Sequence, residues 1–165
     1  MNRLNGQVLN RGITIVAGTV LVATLMMITA SNVNADDSDF KIKKFGIDQN
    51  GDPFLTVEGT AGGTKPTEPN QVFAYVFDTD NGIFAVASHK FEDSTEVKND
   101  LNWHAHKIKL DSNKCITSLK EQGDALLKGD KVSVENIDQV SKVKDAFAVE
   151  LEKADGKVCV KNSLP

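Results

Sequence analysis

Three dipeptides, Asn50-Gly51, Asn81-Gly82 and Asp155-Gly156, each stand between two short stretches rich in apolar and β-branched residues. Such pairs are strong short-range signals for a tight hairpin loop, because that loop asks both central residues for positive φ, which these residue types tolerate. The stretches around them, Phe54 to Gly59, Ile83 to His89 and Ala146 to Glu152 among them, have strand length. Gln71-Val72-Phe73-Ala74-Tyr75-Val76-Phe77 is apolar on both faces, as expected of a central strand covered on both sides. Helix signals are weak. Ser118-Leu119-Lys120-Glu121 matches a capping box and predicts a helical turn, which Gly123 and Gly129 keep short. Ile137, Val140 and Val143, spaced by three, predict one helical turn or an ordered loop. About eight short strands with so little helix predict an all-β fold, an antiparallel β-sandwich or barrel.

Ahead of the hairpins, Met1 to Gly12 carries Arg3 and Arg11 without an acid, and Ile13 to Ala30 carries no charge at all. This is the pattern of a signal peptide, and Val33 and Ala35 supply the small residues expected before a cleavage point. Residues 1–35 are therefore expected to direct export and residues 36–165 to form a single β-sandwich domain. If the signal stays uncleaved, residues 13–30 just reach the length that spans a bilayer. Either outcome places the domain outside the cytoplasm, whether secreted, periplasmic or on the cell surface.

With Arg3 and Arg11 set aside, the 19 basic residues leave 17 lysines against 23 acids, a formal charge of −6 with no arginine. Bidentate capture of phosphate is mostly arginine chemistry, so nucleic acid is not an expected partner. The two cysteines, Cys115 and Cys159, predict a disulfide in an oxidising compartment. Loop-closure entropy would give that bridge about 4 kcal/mol. The alternative is that Cys115 serves as a thiolate ligand for copper or zinc.

All three histidines, His89, His104 and His106, fall within residues 89–106. Trp103 to Leu110 alternates like a strand, so His104 and His106 share one face, roughly 6.5 Å apart at the backbone, and can converge on one ion. His89 ends one predicted strand and His104 begins another; if the two are neighbours, three imidazoles meet. Neutral imidazole suits copper and zinc, and three histidines with an open fourth position is the ligand arrangement of catalytic zinc. Ile108 and Leu110 continue the histidine face, which is therefore expected to be the inner face of the sandwich, with the ion at its rim. Ser88 and His89, adjacent on a strand, point to opposite faces and make no nucleophilic pair.

Trp103-His104-Ala105-His106, with Cys115 nine residues on and Cys159 late in the chain, resembles a strand of copper-zinc superoxide dismutases. That resemblance implies copper or zinc at the histidines and a disulfide between the cysteines. No further histidines follow to bridge two metals, and no arginine is present to guide superoxide, so it does not extend to dismutation. The cupin pattern also pairs His-x-His with a carboxylate where Asp111 stands, but with flanking glycines that are missing here. The ligand arrangement is similar to that of α-type carbonic anhydrases, two histidines on one strand and a third from its neighbour. As a whole the chain resembles small exported proteins of ammonia-oxidising archaea.

Three functions follow as expectations: an exported module for copper or zinc handling; a zinc-dependent hydratase or hydrolase on the same ligands, with Glu92 or Asp93 as an acid in reach; and a cell-envelope structural or interaction domain whose histidines merely pack, in which case they should lie well apart.

Overall fold

The computed structural model describes residues 37–91 and 101–165. The expected signal segment and the acids Glu92 and Asp93 lie outside the described residues. After a short 3-10 turn at Asp37–Asp39, the described chain runs through β1 (Ile42–Ile47), β2 (Pro53–Val57), β3 (Gln71–Thr79), β4 (Gly82–His89) and β5 (His104–Leu110). It continues as β6 (Ile116–Glu121), β7 (Asp124–Lys128), β8 (Lys131–Glu135), β9 (Val143–Ala154) and β10 (Lys157–Ser163). The strands form two antiparallel sheets, one in the order β1-β2-β8-β7 and the other β10-β9-β3-β4-β5-β6. The β-sandwich expected from the turn signals is present.

The three hairpins form where expected, but by two different means. At the β9–β10 turn Asp155 and Gly156 both take positive φ, 51° and 74°, as a two-residue loop requires. At the other two only the glycine does, with Gly51 at 88° and Gly82 at 114°. There the neighbouring side chains shape the loop instead. The Asp48 carboxylate accepts from the amides of Asn50 and Asp52, and the Thr79 hydroxyl accepts from the Asn81 amide and donates to the Gly82 carbonyl.

Neither stretch with a helix signal is helical, and the second takes the ordered loop expected as its alternative. Ser118 to Glu121 lies in β6, because β5 offers an open edge on which Lys109 pairs with Ser118 and Ile108 with Leu119. A ladder of long-range bonds outweighs a four-residue local motif. Gly123 and Gly129, at φ 85° and 62°, bound β7 as turn residues rather than stopping a helix. The second stretch is an ordered loop over 136–142, pinned where the Asp80 carboxylate accepts from the backbone amides of Ser141 and Lys142.

Alternation along β3 builds two cores on the two faces of one sheet. Phe73, Tyr75 and Phe77 join Phe84, Val86, Ala105 and Ala148 against Leu55, Val57, Val132 and Val134 of the smaller sheet. Phe40 closes one end of this core, its ring 5.1 Å from Phe73 and 5.6 Å from Tyr75. The Tyr75 hydroxyl donates to the Asp39 carbonyl and accepts from the Gly62 amide, and burial pushes its pKa up to about 12. Those bonds tie the loop after β2 to the middle of the sheet.

The other residues of the same strands, Val72, Ala74, Val76, Ala85 and Ala87, meet Ile108, Val149 and Leu151 in a second core that the smaller sheet does not touch. The large sheet curls round it into a half-barrel. Its two edges meet at a seam, where Cys115, just before β6, is disulfide-bonded to Cys159 of β10. The Val160 amide also donates to the Lys114 carbonyl across this seam. The bridge predicted from the cysteine count is thus formed, and Cys115 is not a thiolate ligand. Ile108 belongs to this second core, so the histidine face is an inner face, but of the half-barrel and not of the sandwich.

Candidate metal centre

The β4–β5 register brings the histidines together. Ala87 pairs with His104 and Ala85 with His106, while His89 lies two residues beyond Ala87 on the same face. Directly opposed residues in a ladder are about 5 Å apart at Cβ. An alanine opposite His104 and another opposite His106 leave those rings free to turn toward one another. Trp103 and Ala105, one step out of phase, point into the sandwich core, where the Trp103 ring lies 5.0 Å from Tyr75 and its indole N–H donates to the Gly62 carbonyl.

His89 and His106 are buried and His104 is half-buried. The His104 ring stands edge-on between the other two, its centroid 4.8 Å from His89 and 4.6 Å from His106. One nitrogen from each of the three lies within 4.8 Å of the others. The cluster expected from the sequence is therefore assembled, and it can hold a metal ion.

Backbone carbonyls fix two of the rings. His89 Nδ1 is 2.8 Å from the Phe91 oxygen and His104 Nδ1 is 2.9 Å from the Asn102 oxygen. A carbonyl only accepts, so each Nδ1 carries a hydrogen, and the Nε2 atom opposite is left to act as a base. Those two Nε2 atoms face each other at 3.1 Å. That distance suits a proton shared by the two rings or a metal ion held by both. Imidazole nitrogens about 2.05 Å from one ion at the tetrahedral angle would be about 3.3 Å apart. A metal-bound histidine that donates its other ring N–H to a carbonyl is the usual outer-shell arrangement.

Comparison with known proteins finds no matching family model, no matching curated protein and no matching solved structure.

Other residues singled out in the sequence take structural roles. Asp111, at the position of a cupin carboxylate, accepts from the amides of Asn113 and Cys115 and shapes the β5–β6 turn. The Ser88 hydroxyl lies on the opposite face from His89 and donates to the Leu101 carbonyl. Two residues escaped the sequence reading. Glu121, the register partner of His106, borders a surface depression shared with His104; its place was hidden by the capping-box motif that contains it. Phe91 stacks on His89 at 4.5 Å and carries the Lys153 ammonium over its ring at 4.3 Å. Nothing in the local sequence relates Phe91 to Lys153, which come together only when the sheet curls.

Proposed function

We propose that the chain is an exported protein that binds one copper or zinc ion through His89, His104 and His106 and serves in metal handling. The observation that carries the reading is the opposed Nε2 pair of His89 and His104, 3.1 Å apart with both Nδ1 atoms committed to carbonyls. One ion held by both Nε2 atoms accounts together for their spacing and for the two Nδ1 bonds. The envelope alternative calls for three separated imidazoles, which is not the arrangement on β4 and β5. Export is supported by the uncharged run from Ile13 to Ala30 and by the Cys115–Cys159 disulfide, a bond that persists in oxidising compartments. Among the described residues no helix is long and apolar enough to cross a membrane.

In this role the ladder between β4 and β5 sets ring spacing, the Phe91 and Asn102 carbonyls set the tautomers, and burial of His89 and His106 keeps competing water away. A zinc-dependent hydratase or hydrolase on the same ligands has one observation in its favour: His89 and His106 border a cavity that could admit a substrate.

Protein purified without a tag and incubated with copper or zinc is expected to retain about one equivalent, as a three-histidine site should. His104→Ala is expected to lose that retention while keeping the disulfide and the β-sheet circular dichroism. Wild-type protein that stays metal-free after incubation with both ions would overturn the reading.

A further inference from the structure

The half-barrel holds a cavity of about 300 Å³ that is partly open to solvent. Its floor is made by residues that are small for their place: Ala74 on β3 and Ala85 and Ala87 on β4, flanked by Val76 and Ile108. The alternate positions of the same two strands carry Phe73, Tyr75, Phe77 and Phe84. One sheet thus has a filled face and a hollow one. Protein interiors built for stability are close-packed, and a space with room for about ten waters, walled by apolar side chains, is the usual form of a small-molecule site.

Polar groups gather at one end of this space. The register carries a row from His89 through Val72 to Leu151, at the end of the sheet away from the β3–β4 turn. Lys153, two residues past Leu151 on the same face, lines the cavity there with His89, Phe91 and Gly156, and His106 borders it further in. Among the described residues lining the cavity, Lys153 is the charged one, and Glu121 lies outside, in the depression beside His104. A largely apolar pocket with a cation and an imidazole at one end fits an amphiphile with an anionic head.

We infer that the half-barrel binds a medium-chain carboxylate of about ten heavy atoms, its hydrocarbon body over Ala74, Ala85 and Ala87 and its head at Lys153, beside Phe91 and His89. The head's approach to the ion rests on the metal reading given above; the seating of the body and the pairing with Lys153 do not. The binding is non-covalent; an ion held by His89, His104 and His106 would add a second positive charge near the head.

The probe is octanoate, titrated calorimetrically into the full chain before and after zinc loading, with octanol as the headless comparison. Saturable one-to-one binding of octanoate, at least tenfold tighter than octanol, is expected. Ala74→Leu, which fills the floor away from the ligands, is expected to weaken octanoate at least tenfold with zinc stoichiometry unchanged; Val76→Phe serves the same purpose if that variant does not fold. Lys153→Met is expected to weaken octanoate and leave octanol unaffected. Octanoate that binds zinc-free protein with this dependence on Ala74 and Lys153, in a chain that retains no metal, supports the cavity and sinks only the metal reading. Zinc-loaded protein that gives no saturable heat with octanoate, or binding indifferent to Ala74→Leu, overturns the inference and leaves the metal reading standing.

Discussion

The two faces of the six-stranded sheet are made by alternate residues of the same strands, yet they are built to different ends. On the sandwich side Phe73, Tyr75, Phe77 and Phe84 are almost wholly inaccessible, and Phe73 and Tyr75 pack against the ring of Phe40. On the half-barrel side the matching positions hold alanine and valine around a space, with imidazoles at its border. Stability is concentrated where aromatic surface is buried, and the room for a ligand lies where it is not. Such a division lets the site keep its hollow without weakening the fold that holds it.

The comparison can be broken by substitution. Phe77→Ala, on the filled face, is expected to cost about 4 kcal/mol in chemical denaturation, the usual range for deleting a buried aromatic. Its neighbour Val76→Ala, on the hollow face, should cost about 1.5 kcal/mol or less, since its lost methyl groups already border open space. Equal losses at the two positions would mean that the faces share the stabilising work.

Next in size is the seam. Removing it with Cys115→Ser and Cys159→Ser together is expected to cost about 3 kcal/mol, below the loop-closure value of about 4 kcal/mol because the unfolded chain keeps some structure. The loss should fall on the half-barrel: octanoate binding should weaken, while metal retention by the β4–β5 ladder persists. A double variant that loses its metal in step with its melting temperature would contradict that separation.

The smallest effect comes from pH. Tyr75 is the only tyrosine, and its folded pKa, about 12, lies above the ordinary value of 10.0 because burial disfavours the phenolate. The stabilisation is complete below pH 10 and is lost as pH rises toward 12, since the unfolded chain gives up the proton first. The sum over two units is about 3 kcal/mol, of which only the first part is felt at pH 11. Absorbance of the single phenol during an alkaline titration should follow unfolding; a phenol that ionises near pH 10 with the fold intact would contradict its burial.

Much of the fold was legible because strand alternation and turn chemistry are local. The β3–β4 hairpin follows from Asp80-Asn81-Gly82 and the apolar runs beside it, and the shared face of His104 and His106 from a period of two. That His89 joins them depended on β4 and β5 being neighbours, which the sequence could only pose as a condition. The side of the sheet on which they lie was misread. Ile108 marks a buried face, but a sheet buried on both sides has two such faces, and apolarity does not say which belongs to which core. Curling is a property of the whole sheet, so the cavity, its alanine floor and the meeting of Phe91 with Lys153 had no local signal.

The two groups that orient the rings, the carbonyls of Phe91 and Asn102, belong to the main chain. Every amino acid supplies that oxygen. Positions 91 and 102 can therefore change identity over evolutionary time without erasing the proton pattern at His89 and His104, provided the local backbone path is kept. A centre held this way leaves a faint trace in its own sequence: three histidines need preserving, while the two ring-orienting bonds put no demand on the side chains at 91 and 102.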